Sequence, residues 1–138
     1  MKVKVKKLHE DAVIPSYAKD GDAGMDLTAV DVIADGATIT YKTGLAIEIP
    51  RWHVGLLFPR SSVYKTGQIL TNCVGVIDSG YRGEIMMKYT LSSFQSEYDI
   101  GDRVGQLIII PFPMIVFEEV EELTETDRGD GGYGSTGR

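Results

Sequence analysis

The sequence predicts an all-β fold: a distorted antiparallel β-barrel or jelly roll carrying a flexible glycine-rich C-terminal arm. Three observations predict it. Apolar residues recur at period two in short runs rich in Val, Ile, Thr, Tyr and Phe. Gly, Pro, Asp and Ser separate those runs. No interval between them holds the ten or more helix-patterned residues that a parallel βαβ sheet requires.

Taken in order, residues 3–8 place Val3 and Val5 between Lys2, Lys4 and Lys6. That alternation reads as a strand with lysines facing water, not as a targeting or nucleic-acid patch. Residues 25–29, 37–41, 44–49 and 53–58 follow as strands, and 60–66 is the one helix-compatible stretch. Strands at 67–71, 84–91, 103–110 and 114–120 complete the set. The loop Asp78-Ser79-Gly80-Tyr81-Arg82-Gly83 separates apolar runs at 74–77 and 84–91 and reads as a hairpin turn. After Glu122 the apolar pattern stops, and the chain closes on a glycine-rich segment from Arg128 to Arg138. Such a segment buries too little surface to order itself. The expected organisation is a β-barrel domain over 1–122 and a mobile arm over 123–138.

Composition narrows the function. With 138 residues, 43% hydrophobic and 25% charged, the chain is one ordinary domain. A net charge of −6 argues against binding along a nucleic-acid backbone, which needs a broad basic face. A single cysteine, Cys73, allows no internal disulfide and has no Cys partner for zinc, which suits a reducing compartment. Residues 1–10 lack an apolar stretch of signal-peptide length. The most apolar run, 107–117, is too short to span a bilayer and is broken by Pro111 and Pro113. The expectation is a cytoplasmic protein with neither membrane nor nucleic acid as a partner.

Several residue groups could carry chemistry. Gly129-x-Gly131-x-x-Gly134 matches the dinucleotide-binding fingerprint in letters only, because that motif needs a strand before it and a helix after it. Still, glycines beside Arg128, Ser135, Thr136 and Arg138 suit phosphate: backbone N–H groups can approach oxygen, hydroxyls donate and arginine supplies a forked cation. Tyr133 offers an aromatic face for a base. A solvated tail without a role is the competing reading. Arg60, Ser61 and Ser62 form a second set of phosphate donors after an apolar strand, or a plain loop. Gln106, between apolar neighbours, needs a hydrogen-bond partner, as does any polar strand residue. Asp78, at a strand end beside Tyr81, is the best candidate general base. Asp26 is a second carboxylate, of the kind magnesium uses together with phosphate oxygens and water. His9 and His53 show no ligand spacing.

Together and in this order, these segments resemble the five motifs of the homotrimeric dUTPase family. Ala23-Gly24-Met25-Asp26-Leu27 resembles the first and Pro59-Arg60-Ser61-Ser62 the second. Asn72 followed by Gly75-Val76-Ile77-Asp78-Ser79-Gly80-Tyr81-Arg82-Gly83-Glu84 resembles the third. Residues Gly101-Asp102-Arg103-Val104-Gly105-Gln106-Leu107 resemble the fourth, and the run from Arg128 to Gly137 the fifth. The resemblance implies hydrolysis of dUTP to dUMP and pyrophosphate by water attack at the α-phosphorus, limiting uracil in DNA and supplying dUMP for thymidylate synthesis. It implies that Asp78 activates the water and that Tyr81 packs on the deoxyribose, excluding a ribose hydroxyl. Asn72, Gly75, Val76, Ile77 and Met86 would read uracil in a narrow hairpin slot. Arg60, Ser61, Ser62 and Gln106 would hold phosphates, and Asp26 would hold Mg²⁺ through water. Arg128, Ser135 and Thr136 would cover the γ-phosphate, with Tyr133 and Gly134 over the base. It also implies a homotrimer with sites shared among subunits.

Four positions depart from the family's commoner pattern without removing a functional group: Tyr133 for phenylalanine, Gly105 for alanine, Val74 for proline and Ser62 for glycine. Two other classes stay open on the residues alone. A dCTP deaminase relative would need a catalytic glutamate in the site, and a regulatory nucleotide-binding protein would use the same scaffold without turnover.

Overall fold

The computed structural model describes residues 1–91, 97–134 and 137. The strands among them are β1 (Lys4–Lys7), β2 (Met25–Thr28), β3 (Asp31–Asp35), β4 (Thr38–Lys42) and β5 (Leu45–Glu48). Then come β6 (His53–Phe58), β7 (Gln68–Leu70), β8 (Gly75–Ile77), β9 (Met86–Leu91) and β10 (Arg103–Pro111), with a 3₁₀ turn at Ser61–Lys65. All pairings are antiparallel. One four-stranded sheet runs β2-β10-β6-β8, a second runs β3-β4-β9-β7, and β1 pairs with β5 alone. The all-β antiparallel expectation is met. Among the described residues the ladders form three separate sheets and do not close into a barrel. Among the described residues no helix is long and apolar enough to cross a membrane.

Period-two patterning explains the core. In β4, Ile39 and Tyr41 are buried while Thr38 and Thr40 are only partly covered; in β9, Met87 and Tyr89 are buried between exposed Met86, Lys88 and Thr90. These inner faces meet Leu27, Leu45, Val104 and Leu107, each worth about 1.5–3 kcal/mol when fully buried. The buried tyrosines keep their hydroxyls satisfied. Tyr89 Oη donates to Val104 O at 2.6 Å, and Tyr41 Oη donates to Gln68 Oε1 at 3.0 Å while accepting the Tyr98 N–H. Burial pushes the Tyr89 and Tyr41 hydroxyls above the usual tyrosine range, so both stay neutral donors.

Three expectations need correction. Residues 114–120 form no strand: the run Met114-Ile115-Val116-Phe117 has no polar alternation to give it one buried face, it pairs with none of the described strands, and Val116 and Phe117 are 81% and 93% exposed. Strand β3 was not expected; it pairs with β4 through a two-residue turn with Gly36 at φ 58°. The loop 78–83 does not close a hairpin ladder either. It crosses from β8, which pairs with β6, to β9, which pairs with β4 and β7. Crossing between sheets lets both strands bury one face.

The glycine at 105 has a packing cause. A Cβ there would overlap Sδ and Cε of Met87 and lie 3.0 Å from Phe58 O. Met87 is buried, so it has little room to give. Gly105→Ala is therefore expected to cost about 1–3 kcal/mol, read as a lower Tm, and Met87→Val should recover part of it. An unchanged Tm would show that Met87 moves aside freely.

Candidate active site

The first cluster forms where β2, β6 and β10 lie side by side. Register pairs Asp26 with Gln106 and Gln106 with Phe58, so the ends of three strands converge. Arg60, two residues past β6, donates Nε to Asp26 Oδ1 at 3.0 Å. Arg103 donates Nη1 to the other oxygen, Asp26 Oδ2, at 3.2 Å. Gln106 Nε2 donates to Pro59 O at 3.0 Å, which supplies the partner its part-buried setting demanded. Gly24 leaves room for that side chain, since a Cβ there would overlap Gln106 Oε1 and push it from its place. Asp22, Gly24, Asp26, Arg60, Ser61, Arg103 and Gln106 line a cleft of about 450 Å³. Ser62 sits in the 3₁₀ turn, half-buried and outside that lining.

A second cluster lies along β8 and the loop beyond it. Gly75 packs so closely on Leu57 that its missing Cβ would come within 2.9 Å of that side chain. Val76 and Met86 are exposed, Ile77 is half-buried, and Asn72 is exposed in the bend where Cys73 N–H donates to Leu70 O. Asp78 is exposed, and its carbonyl accepts the Tyr81 N–H at 3.0 Å, closing a turn. Tyr81 lays its ring over Gly83 and donates Oη to Glu84 O at 3.0 Å. Arg82 ties the same turn by donating Nη1 to Ser79 O and Tyr81 O.

The third group lies in the tail. Arg128 Nε donates to Gly131 O at 3.0 Å, and Gly129 and Gly131 N–H groups donate to Thr126 O and Arg128 O. Among the described residues these hydrogen bonds stay within the tail. Tyr133 is fully exposed with φ 49°, followed by Gly134 at φ 86°. Ser135 and Thr136 lie outside the described residues.

Among the described residues, one chain does not bring the three groups together. The register sets Asp78 three strand spacings from Asp26 and four residues further along the sheet. At about 4.8 Å per strand and about 3.4 Å per residue, that separation is on the order of 20 Å. A base within hydrogen-bond reach of water on a phosphate cannot be that far from the groups holding the same phosphates.

Arg103 was missed as a site residue, although its sequence pairing with Gln106 was visible. On a regular strand, residues three apart face opposite sides. Here the β10–β2 register shifts between Arg103 and Gly105, and that bulge turns Arg103 to the side of Gln106. Asp22 was missed too; it is held to its own turn by the Lys19 N–H at 2.9 Å, and nothing but folding places it in the cleft.

The cleft's donor set fits a hydrated divalent cation better than a caged one. Among the described residues no group of three His, Cys, Asp or Glu could hold a metal. Asp26 spends one lone pair of each oxygen on an arginine and keeps others for metal-bound water. Asp22 and Asp26 also balance Arg60 and Arg103 in formal charge, so a polyphosphate entering the cleft needs added positive charge.

The family model described as dUTPase matches residues 10–137. The deoxyuridine 5'-triphosphate nucleotidohydrolase of Clostridioides difficile is 43% identical, covering 98% of this chain and 97% of its own length. That of Corynebacterium glutamicum is 44% identical, with coverage of 99% and 95%. Among solved structures, the dUTPase of Staphylococcus bacteriophage 80alpha with dUpNHpp superposes with a TM-score of 0.85 at 27% identity, over 99% of both chains. A mutant dUTPase of phage phi11, described as coordinating a structural Mg(II) ion, superposes with a TM-score of 0.73 at 27% identity, over 88% of this chain and 98% of its own.

Proposed function

The chain belongs to the dUTPase family, and from that premise we propose which of its residues carry the reaction. The protein is an enzyme of nucleotide metabolism that hydrolyses dUTP to dUMP and pyrophosphate. Asp78 takes a proton from the water that attacks the α-phosphorus. Arg60, Ser61, Ser62 and Gln106 hold the phosphates in line, with Arg103 steadying Asp26 beside them. Asn72, Gly75, Val76, Ile77 and Met86 read uracil, and Tyr81 packs on the deoxyribose. Arg128, Ser135 and Thr136 of the 123–138 arm cover the γ-phosphate, while Tyr133 and Gly134 close over the base. Asp26 would hold Mg²⁺ through water, and the bound ion would supply positive charge against the departing pyrophosphate. The rest of the catalysis is positioning and charge complementarity, which phosphate chemistry needs more than covalent participation.

The observation that carries this reading is the convergence of Asp26, Arg60, Ser61 and Gln106 in one cleft from three separate strand ends. The distance between that cleft and Asp78 supports a homotrimer whose sites draw on neighbouring copies. The exposed apolar residues Met114, Ile115, Val116 and Phe117 support assembly as well. The setting is the cytoplasm, and the partner is a small nucleotide, not nucleic acid or membrane. Turnover there limits uracil entering DNA and supplies dUMP.

The purified protein with Mg²⁺ should release pyrophosphate from dUTP far faster than from dTTP, dCTP or UTP. Equal rates on all four would sink the uracil and sugar assignments, and ammonia from dCTP would point to the deaminase class. Shared sites make a second, sharper prediction. Asp78→Asn and Arg60→Ala chains, each inactive alone, should regain about a quarter of wild-type activity when coexpressed one to one, since random assembly pairs intact halves at that frequency. No recovery would mean both residues serve the site from one subunit.

A further inference from the structure

We propose that Glu84 is a positioning residue that fixes the sugar-selecting loop to the sheet and so sets the preference for deoxyribose; this rests on Tyr81 packing against the sugar. Glu84 lies at the end of the loop, just before β9. Its backbone carbonyl accepts the Tyr81 hydroxyl at 3.0 Å, which holds the ring across Gly83. Its carboxylate faces the other way. Oε1 accepts the Gly44 N–H at 2.9 Å, and Oε2 lies 3.4 Å from Lys42 Nζ, which also approaches Asp31 at 3.6 Å.

One residue thus joins the hydrogen bond that the Tyr81 hydroxyl makes among the described residues to the turn between β4 and β5. The anchor is more than a surface ion pair. The Glu84 side chain is 18% exposed, and its bond to a backbone N–H is charge-assisted. The next residue extends the seam: Ile85 N–H donates to Leu45 O, and Ile85 O accepts from Thr43 N–H and Oγ1. A sub-ångström shift of the Tyr81 ring opens or closes the space a 2′-hydroxyl would need. Selectivity therefore depends on how rigidly residue 84 is held.

The test compares kcat/KM for dUTP and UTP in full-length Glu84→Ala, Glu84→Gln and Tyr81→Ala enzymes, alongside Tm. Glu84→Ala should lower the dUTP:UTP ratio about tenfold or more, through a higher KM for dUTP and a better relative rate on UTP. Glu84→Gln keeps an acceptor for Gly44 N–H and should hold the ratio within about threefold of wild type. A purely structural role would lower Tm and scale both substrates together. Folded Glu84→Ala with the wild-type ratio overturns the proposal, even where Tyr81→Ala loses the ratio. If Tyr81→Ala keeps the ratio, the sugar-packing reading falls and this inference with it. Should Glu84→Ala fail to fold, Lys42→Met decides: a lowered ratio supports the anchor, and an unchanged one overturns it.

Discussion

Asp78→Asn should bind dUTP about as well as the wild type while its kcat falls by about 10²–10⁴, the span a positioned general base contributes. That corresponds to about 2.7–5.5 kcal/mol of barrier. The geometry makes this a clean substitution. Asp78 is exposed, and its backbone is fixed by the turn that Tyr81 N–H closes on its carbonyl. Among the described residues its carboxylate makes no hydrogen bond that asparagine would break. Asparagine therefore keeps the shape and loses only the capacity to accept a proton at neutral pH. Steady-state kcat together with the affinity for dUpNHpp separates the two effects. A near-native kcat would place the base elsewhere, while weakened binding with intact kcat would make Asp78 a ligand-holding group.

Most of the fold was legible because period-two alternation encodes a sheet with one buried face. Residues 53–58 read as a strand and are one, residue for residue. The failures are equally physical. In β3 the bounding Asp31 and Asp35 look like turn punctuation, and Ile33 is half exposed, so the alternation is faint. The Asp35-Gly36 pair was nonetheless a hairpin signal in plain view. Residues 114–120 failed for the opposite reason. Their apolar content is real, but Met114-Ile115-Val116-Phe117 does not alternate, and a strand also needs an edge to pair with, which no local pattern specifies.

The site was legible as chemistry and not as geometry. Asp26, Arg60, Ser61 and Gln106 were each plausible phosphate-site residues in sequence, and folding gathers all four in one cleft. Arg103 was lost to a bulge that alternation cannot anticipate. Nor could spacing along the chain show that Asp78 and Asp26 stand on the order of 20 Å apart. Register across four strands sets that distance, and register is a tertiary property.

Deleting residues 128–138 should leave Tm and oligomeric state unchanged while kcat/KM for dUTP falls by about 10³-fold or more. The last strand ends at Pro111, and the described hydrogen bonds of the tail join tail residues to one another, so removal leaves the sheets intact. The catalytic loss has a definite source. Deletion removes Arg128, the hydroxyls of Ser135 and Thr136, and the ring of Tyr133, all proposed to reach the nucleotide only on closure. A site formed by the cleft alone would hold phosphates yet stay open to water, where each electrostatic contact is weak. Tyr133→Ala in the full chain should cost much less, about tenfold, since it removes stacking and keeps the cation. Two outcomes would undo the argument. Full activity in the truncated protein would make the tail an inert appendage. A truncation that lost Tm and activity together would make it part of the folded framework, so that the missing turnover said nothing of closure.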